Sequence, residues 1–144
     1  MENAVSVREL VLETSNLEVY SGMQYLDERM VTTEDISRPG LELTGYFYYY
    51  PEERIQLFGM TEISYANKMS KEDRKKIMER LCGKDTPCFV VSRYLVVPAE
   101  MKEAADEHHI PILRSKLPTT RVSAKLTDYL SGRLAPKKSL HGVL

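Results

Sequence analysis

The chain has 144 residues, 28% charged and 42% hydrophobic. That is the usage of an ordinary globular domain, which excludes disordered and fibrous classes and allows one core burying about 70% of the unfolded chain's surface. Twenty basic and 21 acidic residues give a formal net charge of -1 and interleave along the chain, which argues against a dedicated nucleic-acid binder. No apolar run approaches the ~20 residues of a membrane span, and "MENAVSVREL" has neither the basic start nor the apolar stretch of a signal peptide, so a cytoplasmic setting away from any membrane is expected.

In chain order, Ser6 and Glu9 make a capping-box pattern in "SVRELVLE" and predict a short amphipathic helix. "LEVYSG" predicts a strand ending at Gly22. "MVTTEDISRPG" predicts an extended segment and then a turn at Arg38, Pro39 and Gly40. Pro39 biases Arg38 away from helical geometry, and Gly40 frees the next peptide for a left-handed or tight conformation. The aromatic run Tyr46 to Tyr50, read as a strand, would send alternate rings to opposite sides, with half of them in the core. "RIQLFG" alternates Ile55 and Leu57 with polar neighbours and predicts a short strand ended by Gly59.

"SKEDRKKIMERLCG" opens on Ser70 and Asp73 and places Ile77, Met78, Leu81 and Cys82 on one face of a helix closed by Gly83. "CFVVS" is a strand-length apolar run, as in a strand covered on both faces. Pro98 fits the first turn of a helix carrying Met101, Ala104 and Ala105, and "IPILRS" is a further strand. Thr119 or Thr120 caps a last helix in which Val122, Leu126, Tyr129, Leu130 and Leu134 recur at helical spacing, with Pro136 beyond it. The alternation of strand and helix predicts an α/β fold, a mostly parallel β-sheet flanked by helices. Ala135 to Ser139 reads as a linker.

The chemistry-bearing residues are sparse. Cys82 and Cys88 are separated by "GKDTP", not arranged as CxxC, and read as reduced packing residues. His108 and His109 are adjacent with no Cys or Asp at ligand spacing, so no metal site is predicted; both suit a helix end, where the dipole favours an imidazolium. The seven glycines form neither GxxxxGK[ST] nor GxGxxG, and no GxSxG or HExxH occurs. Three features remain as candidate ligand contacts: Arg38 with Gly40 in the turn, able to hold an anion or carboxylate; Tyr48 and its neighbours as a stacking surface; and His141, a lone histidine near the end.

As a set, "ISRPGLELTGYFYYYPEERIQLFGMTEISY", "TPCFVVSR", "IPILRSKLPTTRVSAKLTDYLSGRLAP" and "HGVL" resemble the amino-terminal domain of bacterial HPr kinase/phosphorylase. The resemblance implies an amino-terminal α/β domain over residues 1–134, a linker over 135–140, and the start of a carboxy-terminal kinase domain at 141–144, whose phosphate-binding loop lies beyond. It implies a cytoplasmic homohexamer that phosphorylates a serine of the phosphocarrier HPr with ATP or pyrophosphate and Mg2+, and reverses this by phosphorolysis in carbon catabolite control. By resemblance His141 is a catalytic-site residue in the full-length context, while ATP and metal are bound outside these residues.

The resemblance also implies a fold similar to the amino-terminal domain of Mur ligases, whose "DSR…PG" segment "SRPG" echoes, with Ile36 standing where that pattern has aspartate. The chain is therefore expected to be inactive alone and to serve regulation and assembly. The competing reading is a free-standing α/β module that binds a nucleotide-sugar or a phosphorylated metabolite.

Overall fold

The computed structural model describes residues 3–135. Five strands form one sheet in the order β2–β7–β6–β5–β4: β2 (Glu18–Ser21), β4 (Ile36–Ser37), β5 (Ile55–Phe58), β6 (Phe89–Val91) and β7 (Ile112–Arg114). β4, β5, β6 and β7 run parallel, and β2 lies antiparallel along β7 at one edge. The strand pair β1 (Val5–Ser6) and β3 (Met30–Val31) stands apart from this sheet. The predicted α/β architecture is thus present, with one antiparallel edge.

Side-chain alternation sorts the sheet into two faces. Phe58, Phe89, Val91 and Ile112 point to one side and meet α2 (Gly40–Leu43), α3 (Met60–Lys68), α4 (Lys71–Leu81) and α5 (Ala99–Glu107) through Leu43, Ile63, Ala66, Met78, Leu81, Met101 and Ala105. Ile55, Leu57, Val90 and Leu113 point to the other and meet α1 (Val7–Glu13) and α6 (Thr119–Arg133) through Leu10, Val122, Leu126 and Leu130. Consecutive parallel strands always step the same way, so right-handed crossovers place α2 to α5 on one face. Only α6, which follows the last parallel strand, crosses beneath to reach β4 and β5.

Several local readings hold. Ser6 and Glu9 form the reciprocal capping box of α1, and Ser70 accepts from the Asp73 amide at the start of α4. Gly22 is left-handed at φ 82, and a side chain there would meet the Pro111 backbone at 2.7 Å, so only glycine fits. The Arg38–Gly40 turn is an inverse γ-turn: Pro39 sits at φ -82, ψ 49, and the Gly40 amide donates to the Arg38 carbonyl at 2.8 Å.

Other readings are corrected. Gly40 is not left-handed but begins α2, because the tight turn is made by Pro39. The Tyr46–Tyr50 run is an irregular loop, with Phe47 and Tyr50 packed on the core and the Tyr50 hydroxyl donating to the Leu81 carbonyl at 2.6 Å. Thr119 does not cap α6 but is its first helical residue, after Pro118. Gln56 faces the interior, wholly buried, and its amide donates to the Pro51 and Arg54 carbonyls at 3.0 Å each. The helix α3, "MTEISYANK", has no counterpart in the sequence reading, since its buried positions are Glu62, Ile63 and Ala66 and two of these three are not recognisably core residues.

Candidate functional site

In open α/β sheets, ligands bind outside the carboxyl ends of the parallel strands, where successive connections leave for opposite faces. Here that place lies between the turns leading to α3 and α5 on one face and the turn leading to α6 on the other. Gly59 follows β5, Ser92 follows β6 and Thr119 opens α6. A Cβ on Gly59 would lie 2.5 Å from Thr119 Oγ1, 2.9 Å from Arg38 Nη2 and 3.0 Å from Thr119 Cγ2. The Ser92 and Thr119 hydroxyls are 2.6 Å apart and buried. Three loops therefore touch at a point where only a hydrogen atom fits.

Arg38 is held over this point. Its Nη2 donates to Glu62 Oε1 at 2.8 Å, and the same oxygen accepts the Gly59 amide at 2.7 Å. Glu62 is nearly fully buried, while Arg38 is well exposed. The carboxylate thus performs the half of a capping box that a glycine cap permits, and in doing so fixes the guanidinium. Arg38 Nε and Nη1 have no partner among the described residues.

The neighbouring loop is unusual. Arg93 and Tyr94 both take left-handed backbone, φ 57 and 52, an arrangement that strains residues with a Cβ. Their amides donate to the Leu117 and Ser115 carbonyls at 2.9 and 2.8 Å, so the β7–α6 loop dictates their conformation. The Arg114 guanidinium lies between the Tyr94 and Tyr20 rings, 4.2 and 4.8 Å from their centroids, and the Tyr94 hydroxyl donates to Glu18. Nothing in single-residue periodicity signals this cluster. Adjacent left-handed residues are set by tertiary hydrogen bonds.

The candidate residues do not converge. Arg38 and Gly40 flank the turn at the crest. Tyr48 lies elsewhere, in a recess of about 530 Å³ with Gly45, Tyr46, Phe47 and Arg80. His141 falls outside the described residues. Cys82 and Cys88 are free thiols, and burial pushes the Cys82 thiol up to about 12 and the Cys88 thiol higher still, so neither is a ready nucleophile.

His108 caps α5 as expected, but it gains partners that sequence spacing could not reveal. Its Nε2 lies 2.9 Å from Glu79 of α4, with Glu107 beside them, and the three donors lie within 4.8 Å of one another. The hydrogen bond from His108 holds the Glu79 carboxyl below the ordinary carboxylate range, and the hydrogen bond between the two carboxyls raises Glu107 above it. Among the described residues this is the one group able to offer a metal three ligands.

The arrangement defines a three-layer α/β domain with a polar crest at the carboxyl ends of its parallel strands. A family model described as HPr Serine kinase N terminus matches residues 5–130, and the chain belongs to that family as its amino-terminal domain. It is 60% identical to the HPr kinase/phosphorylase of Lacticaseibacillus casei strain BL23, 56% to that of Latilactobacillus sakei subsp. sakei strain 23K and 54% to that of Listeria monocytogenes serotype 4a strain HCC23. Each match covers 100% of this chain and 45%, 46% and 46% of the relative, respectively. The chain therefore spans about half the length of the relatives it matches.

Proposed function

We propose that this chain is the regulatory and assembly domain of a bifunctional HPr kinase/phosphorylase. The complete protein would phosphorylate a serine of HPr with ATP or pyrophosphate and Mg2+, remove it by phosphorolysis in carbon catabolite control, and work in the cytoplasm as a homohexamer. The observation that carries this reading is 60% identity, over all 144 residues of this chain, to a protein of that name. No helix among the described residues is long and apolar enough to cross a membrane.

The strand-to-helix turn at Gly59 does not offer a cradle for the phosphates of ATP. The Gly59 amide, the strand-to-helix donor a phosphate would need, is already bound to Glu62, and the 144 residues contain no GxxxxGK[ST] segment. ATP and Mg2+ accordingly belong with the remaining length of the protein, where residues 141–144 would begin the kinase domain after a linker at 135–140. His141 is proposed, by resemblance, to orient phosphate oxygens there.

Incubating the full-length gene product with HPr and Mg2+-ATP should give HPr heavier by one phosphate on a serine, and the 144-residue chain alone should not. Unmodified HPr in the full-length reaction would refute the reading. His141→Ala in the full-length protein should slow both phosphorylation and phosphorolysis; unchanged rates would remove it from the site.

A second reading rests on Arg38, anchored through Nη2 alone beside the first turn of α6, which has no side-chain cap. A nucleotide-sugar or phosphorylated metabolite held there would raise the melting temperature of the chain but not of Arg38→Ala. No shift across uridine nucleotides and phosphosugars would dismiss it.

A further inference from the structure

The helices α4 and α5 pack side by side. Each leads back to the start of a parallel strand, β6 and β7 respectively, so both carboxy-terminal ends stand at the amino edge of the sheet, opposite the crest. Glu79 lies in the last turn of α4, Glu107 ends α5 and His108 caps it. A helix C-terminus carries partial negative charge, which disfavours a carboxylate and favours a cation. Both helices nevertheless present a carboxylate at that end.

The surroundings add to the negative charge. Beside the three residues runs a groove of about 520 Å³ lined by Lys75, Glu79, Glu100, Glu103, Asp106 and Glu107. Glu100 is bonded to Arg74 and Asp106 to Lys102, each at 2.7 Å, so Glu79, Glu103 and Glu107 share Lys75. The spacing of the two helix ends is fixed from behind. The Arg29 guanidinium donates to the Lys84 and Thr86 carbonyls after α4, at 2.7 and 3.0 Å, and to the His108 and His109 carbonyls after α5.

We propose that Glu79, Glu107 and His108 bind one divalent ion of the zinc type, which joins the ends of α4 and α5. A neutral imidazole supplies a lone pair and two carboxylates supply two charges, which together match a +2 ion. One nitrogen and two oxygens, with a fourth position open to water, suit tetrahedral Zn2+; Mg2+ and Ca2+ take oxygen alone in larger shells. The three donor atoms lie within 4.8 Å of one another, His108 Nε2 and Glu79 Oε1 at 2.9 Å. Bonds of about 2.0–2.2 Å to one tetrahedral ion require donors about 3.3–3.6 Å apart, so side-chain shifts of roughly 1 Å close the site. His108 and Glu79 are partly in solvent, which leaves the ion a way in.

Calorimetric titration of ZnCl2 into the chelator-treated 144-residue chain, in a non-coordinating buffer, tests this. One ion should bind per chain, and MgCl2 at the same concentrations should give no heat. His108→Ala and Glu107→Gln should each weaken Zn2+ binding at least tenfold. His109→Ala, which removes an imidazole paired only with Glu28 at 3.1 Å, and Cys82→Ser, whose thiol is turned to the Met78 carbonyl, should bind as wild type does. At a hundred times its dissociation constant Zn2+ should raise the melting temperature of the wild type by roughly 8–10 °C. The same Zn2+ concentration should move Glu107→Gln by less, while the two proteins melt alike without metal.

The absence of any Zn2+ heat or thermal shift would overturn the proposal. So would Mg2+ binding as tightly as Zn2+, or Zn2+ binding indifferent to His108 and Glu107. Zn2+ binding lost with His109 or Cys82 would place the ion elsewhere and overturn it equally.

Discussion

Gly59→Ala is the sharpest probe of how the crest is built. The backbone at Gly59 is extended, φ -107 and ψ -164, so alanine can adopt it and would by itself gain about 0.4–1 kcal/mol by stiffening the unfolded chain. Against that, its Cβ would lie 2.5 Å from Thr119 Oγ1 and 3.0 Å from Cγ2. Thr119 is buried, β-branched and tied to Ser92, so it cannot swing aside as Arg38 can. Overpacking of this kind costs about 1–3 kcal/mol, and weakening the Ser92 contact adds about 1 kcal/mol.

The net expectation is a loss of about 1–3.5 kcal/mol, or about 3–12 °C in melting temperature for a domain of this size. Urea unfolding with matched m-values measures it. Thr119→Ala removes both clashing atoms, so in that background Gly59→Ala should be neutral or stabilising. An equal loss in both backgrounds would refute the claim that Thr119 is what forbids a side chain at Gly59.

Three further outcomes follow from the same geometry. Arg74 donates to the nearly buried Glu100 at 2.7 Å and to the Ala66 and Met69 carbonyls at 3.1 and 3.0 Å, and its hydrogen bond holds the Glu100 carboxyl below the ordinary 4.5. A lowered folded pKa gives stability that is present above the unfolded value and lost as pH falls through the folded one. The difference in urea midpoint between wild type and Glu100→Gln should therefore be constant from about pH 6 to 8 and shrink below about pH 4; a gap unchanged at pH 3 contradicts this. Arg29 ties the Lys84, Thr86 and His109 carbonyls at 2.7, 3.0 and 3.0 Å, so Arg29→Ala should cost about 2–4 kcal/mol, and Arg29→Lys should restore only part because an ammonium lacks the planar fork. Arg93→Gly should stabilise by about 0.5–1 kcal/mol by relieving left-handed backbone; a clear loss in calorimetry would show that the Arg93 side chain contributes contacts of its own.

Elements whose residues carry their own signal can be read along the chain. Ser6 with Glu9, Ser70 with Asp73, the "CFVVS" run and the spacing from Val122 to Leu130 each encode local geometry or burial within a few residues, so β2, β5, β6 and β7, four of the helices and the mostly parallel sheet are legible, whereas β1 is not. The turn at Arg38 to Gly40 was legible too, because Pro39 fixes its own φ.

Contacts between segments far apart in the chain carry no such local signal. Helix α3 hides because Glu62 is buried for its bonds to Gly59 and Arg38 and not for its apolarity. The aromatic run yields to its loop because Phe47 and Tyr50 are claimed by the core and Tyr48 and Tyr49 are not. Thr119 loses the cap position because its hydroxyl is claimed by Ser92, 27 residues earlier. His108 meets Glu79 from 29 residues away. Propensity and periodicity register what a residue does to its neighbours along the chain; the crest and the aromatic face are made by neighbours in space, and these exist only once the crossovers have placed α2 to α5 on one side of the sheet and α6 on the other.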